Sequence, residues 1–409
     1  MRRVAITGIG AVTPVGNDAP STWRALLEGR SGVDHIKAFD ASEFPVQIAG
    51  EVKDFDASSV VTAKKARAID RAVLFSIGAA KEALADAGVN GYKPERVGVV
   101  VGSCIGGFNQ LMEQADILRD RGPDRVSPSF LANILVDSPS GHLAIELDAR
   151  GPNYAVVSAC ATGSHSVGEG AQLIMRGDAD LVLAGGTEGC IHPLILAGFC
   201  SMRGLAVGNG DPKAALRPFE ADRSGFVLAE GAAVLALEDL EAAKARGARI
   251  YAEVLGHGAS NDAYHMAAPE PEAVGVSHMM EQALERANVE PERVGYINAH
   301  GTGTPLGDPA ETKAIKRVFG DHAYDLAVSS TKSMTGHMFG AAGAVEAMVC
   351  ALAIHEGRIP PTINYDTPDP DCDLDYVPNE ARDAEIDVAL SNAMGLGGHN
   401  ACVLLGRVE

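Results

Sequence analysis

The 409-residue sequence predicts an α/β chain of two duplicated halves, 1–250 and 251–409, packed as one unit. Three observations lead there. Residues 83–89 followed by 94–103 have an echo in 283–289 followed by 291–300, about half a chain length later. A looser echo follows in the same order: helix-like sequence after Cys160 runs to Arg176-Gly177, and helix-like sequence after His337 runs to Glu356-Gly357. Strand-like runs alternate with helical stretches, and no Pro/Ser-rich linker separates the halves.

Taken in order, Val4-Ala5-Ile6-Thr7-Gly8 reads as an opening strand, and Met1-Arg2-Arg3 before it does not resemble a secretory signal. Each member of the first echo reads as helix, short turn, buried strand and Gly-rich loop. Its strands are 97–102 in the first half and 294–298 in the second. Residues 154–158, 181–184 and 387–391 are the further strand-like runs. Duplication would bring equivalent strand ends together near a pseudo-twofold axis, and with them Cys160, His300 and His337.

Composition narrows the function classes. Hydrophobic residues make up 46% and charged residues 22%, ordinary values for a soluble globular protein. The net charge of −20 argues against a nucleic-acid partner. No apolar run approaches the length of a membrane span. Seven cysteines without CxxC pairs favour reduced thiols and a cytoplasmic location over a disulfide framework.

Cys160 lies in Val156-Val157-Ser158-Ala159-Cys160-Ala161-Thr162-Gly163-Ser164, where an apolar run stops at small residues and helix-like sequence begins. A thiol at a helix N-terminus is favoured as thiolate, so this context predicts a lowered pKa and a nucleophile. The other six cysteines read as inert core. His300 in His-Gly-Thr-Gly-Thr-Pro and His337 before Met338-Phe339-Gly340 each offer an imidazole in a turn-rich context. Their spacing from Cys160 fits no zinc pattern, and no Gly-x-Ser-x-Gly elbow supports a serine hydrolase. Taken alone, Lys332 and Glu346 read as solvated surface charges.

The segments Ser158-Ala159-Cys160-Ala161-Thr162-Gly163, 298–305, 329–337 and 392–400 resemble those of β-ketoacyl-[acyl-carrier-protein] synthases. The nearest branch is the elongating type II enzyme of dissociated fatty-acid synthesis. The resemblance implies the thiolase fold, with duplicated halves in a five-layered α/β/α/β/α arrangement. It makes Cys160 the nucleophile that takes an acyl chain from acyl-carrier protein. His300 and His337 would drive decarboxylation of malonyl-carrier protein through neutral Nε2 donors, with Lys332 and Glu346 organising them. The backbone N–H groups of Cys160 and Leu396 would form the oxyanion hole, and Thr302 and Thr304 would bind the pantetheine arm.

The same resemblance places Cys104, Ile105, Phe130, Phe199 and Leu396 on the acyl pocket or its gate. It places Lys64, Lys65, Arg67, Arg125 and Arg203 on the carrier-protein dock. It implies no required cofactor, a structural monovalent-cation site at Asn298, Ala299, Glu346, Ser391 and Asn392, and a homodimer. Met394-Gly395-Leu396-Gly397-Gly398 departs from the family pattern, since Leu396 stands where relatives carry a gate phenylalanine. A polyketide or specialised-lipid ketosynthase with the same chemistry is the alternative. A thiolase or priming enzyme is disfavoured by Lys332 with His337, and a non-catalytic chain-length partner by the presence of Cys160.

Overall fold

The computed structural model describes residues 2–89 and 91–408. Its first half carries strand β1 (Val4–Val12), helix α1 (Arg71–Ala87), strands β2 (Val97–Gly102) and β3 (Asn153–Tyr154), helix α2 (Thr162–Arg176), and strands β4 (Leu181–Glu188) and β5 (Gly231–Asp239). The second carries strand β6 (Ala252–Asn261), helix α3 (Val274–Ala287), strand β7 (Val294–Asn298), helix α4 (Gly307–Phe319), strand β8 (Ala327–Ser329), helix α5 (Ala342–Glu356), and strands β9 (Val388–Gly395) and β10 (His399–Gly406). Local signals set the helix ends. The Asp70 side chain caps α1 by accepting the Ala72 N–H, and Gly88, Gly177 and Gly357 close α1, α2 and α5 in the left-handed region.

Among the described residues the ten strands form one sheet in the order β8-β7-β9-β10-β6-β1-β5-β4-β2-β3. Outward from the β6–β1 junction, pairing runs antiparallel, antiparallel, parallel, parallel on both sides. The junction is short: Val4, Ala5 and Ile6 face Val254, Glu253 and Ala252, and pairing between the two leaves stops there. Helix α1 covers β1 and β5, α3 covers β6 and β10, while α2 and α5 pack on each other and on strands of both leaves. The layers therefore read α/β/α/β/α.

Helix α5 lies between the two leaves of the sheet and is buried on every side, with Ala342 to Ile354 all buried and Glu346 the one charged residue among them. Together with the turn before it, Phe339–Glu356 forms an 18-residue apolar stretch, 89% buried inside the protein. This corrects the expectation that no such stretch exists; its length serves the core. The strand expected over 154–158 is also corrected. Only Asn153 and Tyr154 pair with β2, and Ser158 turns away because its backbone bonds to the start of α2.

The duplication extends to close backbone contacts. A Cβ on Gly8 or Gly10 of β1 would lie 2.1 Å from the Ala83 carbonyl oxygen or 2.0 Å from that of Ala79. In β6, Gly256 and Gly258 stand at 2.5 Å from Ala283 O and 1.8 Å from Met279 O. Each helix thus lies directly on its strand, with no space for even a methyl group. Gly258→Ala should cost about 1–3 kcal/mol by overpacking, read as a lower denaturation midpoint. Gly295→Ala, which faces open space, should shift stability by less than about 0.5 kcal/mol. Equal losses for both would contradict this packing.

Candidate active site

The chain enters α2 through a strained turn. Ala159 has φ of 50°, in the left-handed region that non-glycine residues rarely adopt. Ser158 N–H donates to Thr162 Oγ1 at 2.9 Å, and the N–H groups of Ala161 and Thr162 donate to the Ser158 and Ala159 carbonyls at 3.1 Å. Cys160 follows, 6% exposed. A Cβ on Gly395 would come within 3.1 Å of Cys160 N, so the end of β9 lies against this elbow. The backbone N–H groups of Leu396 and of Cys160 itself favour negative charge on the sulfur.

The two histidines come from the second half. Glu311 on α4 accepts the N–H groups of His300 and Gly301, both at 2.8 Å, and so fixes the loop after β7. His337 N–H donates to Val227 O at 2.8 Å, and its carbonyl accepts the Ala229 N–H at 3.0 Å. The imidazoles meet edge to face with centroids 5.4 Å apart. Phe339 lies 4.6 Å from the His337 ring and Phe226 packs edge-on at 5.4 Å. Cys160, His300 and His337 open onto one cavity of about 490 Å³. Thr302, Thr304, Phe199, Arg203 and Leu396 line it too.

The meeting has a packing cause. Helices α2 and α5 cross where a Cβ on Gly163 would stand 2.5 Å from Ala344 N, and one on Gly343 would stand 2.2 Å from Ser164 Oγ. Glycine at both positions lets the two helix starts approach, which brings the residues preceding them to one place.

Burial decides the protonation states. The Cys160 thiol is pushed up to about 12 by desolvation, which outweighs the Lys332 charge and the two N–H donors. The expectation of a lowered pKa is therefore overturned. His300 and His337 are held well below the usual histidine range, by burial first and then by the Lys332 charge. Both rings are neutral at pH 7. Lys332 and Glu346 are not surface charges: they form an ion pair with side chains only 1% and 2% exposed, and the Lys332 charge acts on both histidines. Burial raises Glu346 to about 7 against the opposing pull of Lys332.

Other sequence-derived positions fall elsewhere. Cys104 and Ile105 pack in the apolar cluster that holds Cys160 and Phe339, but neither lines the cavity; the Cys104 thiol bonds to buried Glu188 at 2.9 Å. Phe130 begins the short helix Phe130–Ile134, half-buried and away from the cavity of its own chain. Of the five basic residues only Arg203 reaches the cavity. Lys64, Lys65 and Arg67 belong to the helix Ala63–Ala66 and its cap, where Lys65 is paired with Glu146, and Arg125 ends a turn at 123–125. Sequence reasoning missed Glu311, Phe226 and Phe339 as shaping residues. Phe339 was legible two positions after His337, whereas nothing local marked the other two.

Asn298, Ala299, Glu346, Ser391 and Asn392 are all buried, and Ser391 pairs with Asn298 across β9 and β7. Asn298 Oδ1, Glu346 Oε2, Ser391 Oγ and Asn392 Oδ1 are each buried without a hydrogen-bond partner. Buried oxygens are seldom left so, and a set of neutral and anionic oxygens suits a hard cation. The donor set fits.

A buried thiol under backbone N–H donors, facing two neutral imidazoles at the centre of a five-layered duplicated fold, defines a condensing enzyme of the thiolase type. The sequence matches the Beta-ketoacyl synthase N-terminal domain over residues 1–243 and the C-terminal domain over residues 251–366. The chain belongs to the β-ketoacyl synthase family, acyltransferases that condense acyl thioesters. It is 51% identical to 3-oxoacyl-[acyl-carrier-protein] synthase 2 of Coxiella burnetii, over 100% of this chain and 99% of the relative. The proteins of the same name from Synechocystis sp. and Staphylococcus aureus are each 48% identical, with the same coverage. Among solved structures, a type II polyketide acyl-carrier protein in complex with its ketosynthase bound to the hexaketide superposes at TM-score 0.92, with 33% identity and full coverage of both chains. A Burkholderia phymatum β-ketoacyl synthase also gives 0.92, with 34% identity and full coverage of both chains.

Two outcomes follow from the electrostatics. Alkylation of Cys160 by iodoacetamide should rise about tenfold per pH unit from pH 7 to 10, because thiolate stays the minor form throughout; a plateau near pH 8 would refute the raised pKa. Glu346→Ala leaves the buried Lys332 charge without its partner and should cost about 3–5 kcal/mol of unfolding free energy, measured by denaturant titration.

Proposed function

We propose that the chain catalyses decarboxylative Claisen condensation, joining an acyl thioester on Cys160 to malonyl-acyl-carrier protein. The observation that carries this reading is the single cavity shared by one thiol, two neutral imidazoles and a pair of N–H donors. Cys160 Sγ attacks the acyl carbonyl of acyl-carrier protein, and the pantetheine sulfur leaves with the thiol proton. Malonyl-carrier protein then enters, with Thr302 and Thr304 beside its arm. Loss of CO2 leaves an enolate whose oxygen receives N–H donation from His300 and His337, which neutral rings provide and which the nearby Lys332 charge strengthens. The enolate carbon attacks the Cys160 thioester. The N–H groups of Cys160 and Leu396 stabilise the tetrahedral oxyanion until it collapses, releasing 3-ketoacyl-carrier protein and the Cys160 thiolate, which is then protonated.

Fatty-acid elongation is the favoured pathway, because relatives near 50% identity carry that enzyme name while the polyketide neighbour stands at 33%. A monovalent cation at Asn298, Ala299, Glu346, Ser391 and Asn392 would brace the base of the site. No other cofactor is called for by this chemistry. An acidic carrier protein would dock at Arg203 with help from Lys64, Lys65, Arg67 and Arg125. A homodimer joined beside β3 is supported by that strand's place at the sheet edge and by Leu131 and Ile145 on adjoining helices and Leu135 between them, exposed at 68%, 77% and 53%. A cytoplasmic location accords with this pathway.

Intact-mass analysis with acyl-carrier proteins of graded chain length should show acylation of wild type and none of Cys160→Ala. His337→Ala should still be acylated while condensation falls about 100- to 1000-fold. A wild type acylated by no carrier protein would sink the reading.

A further inference from the structure

The strained elbow has a side-chain anchor that the reaction above does not use. Ser158 and His165 stand on either side of Ala159 and Cys160 in the chain, and Ser158 Oγ is hydrogen-bonded to His165 Nδ1 at 2.7 Å. The Ser158 backbone N–H is already committed to Thr162, so the pair clamps the turn from two directions. His165 itself does not line the cavity.

The second half of the fold holds the His165 ring in place. His257 of β6 packs edge to face against it, with centroids 5.9 Å apart at 74°. Arg286 on α3 donates to the His257 carbonyl at 2.9 Å. Room for the His257 ring exists because Gly168 has no side chain: a Cβ there would lie 2.3 Å from the imidazole. Burial, with the neighbouring His399, keeps His165 below the usual histidine range, so it acts as a neutral hydrogen-bonding group.

We propose that His165 is a positioning residue whose bond to Ser158 staples the strained turn at Ala159, so that the Cys160 sulfur and N–H keep the alignment needed for attack on an acyl thioester. The proposal rests on the ketosynthase reading for its substrate but not for its geometry. Loss of the staple lets Ala159 relax from φ 50° toward ordinary backbone, which moves both the sulfur and its N–H. A misplacement of about 1 Å at a reacting centre can cost about 100-fold in rate.

The test compares wild type, Ser158→Ala, His165→Ala, the double variant, and His165→Asn, whose amide can occupy the Nδ1 position. Two rates are read on each: iodoacetamide alkylation of Cys160, which needs no assigned function, and CO2 release from malonyl-carrier protein. Each single variant should slow alkylation about 10- to 100-fold. The double variant should be no slower than His165→Ala, since both remove one bond. CO2 release should change by less than about threefold, and His165→Asn should recover most of the alkylation rate. Additive losses, unchanged alkylation, or a parallel fall of both rates would overturn the proposal. Absence of CO2 release from wild type would instead count against the ketosynthase reading, while the alkylation series still decides the staple.

Discussion

The close crossing of α2 and α5 at Gly163 and Gly343 is the constraint on which the site depends. Each helix belongs to a different half, and each begins just after a residue that the chemistry needs. Side chains at the crossing would separate the helix starts, and Cys160 would no longer share a cavity with His337. The crossing is in turn possible because α5 is almost wholly apolar, with its one buried charge at Glu346 paired to Lys332, and can pass between the two leaves of the sheet.

Putting the helix starts in the middle of five layers has an electrostatic consequence. At a surface, the N-terminus of α2 would favour a thiolate. In the dry centre, desolvation penalises every charged form more than the helix dipole and the N–H donors favour it, so Cys160 rests as a thiol and both histidines as neutral rings. Neutral imidazoles can donate a hydrogen bond to a developing enolate without competing with it for charge. Burial is the main reason both rings stay neutral, and Lys332, paired with buried Glu346, adds to it.

The two halves share a scaffold and divide the work. The strand end after β7 presents His300, tied by Glu311; the equivalent end after β2 presents Ser103 and Cys104, tied by buried Glu188. A carboxylate gathers backbone N–H groups in both places, yet only the second half puts an imidazole there. The two carboxylates come from different places, the end of β4 and helix α4, so single side chains rather than the repeat set which half carries which step.

Much of the fold and the site is legible in the sequence alone. The repeat at 83–103 and 283–300 marked equivalent helix–turn–strand units, because a periodic apolar face followed by Pro-Glu-Arg and a short strand-like run is a local signal. Cys160, His300 and His337 were legible from turn-rich contexts and resemblance. The fate of 154–158, the ionisation of Cys160, the burial of Lys332 with Glu346 and the role of Glu311 were not. By itself, then, the sequence determined the elements, their duplication and the identity of the reacting groups, all encoded in neighbouring residues. Only the tertiary structure decided which groups meet and in what charge state, since proximity across halves and desolvation arise from packing residues far apart in the chain.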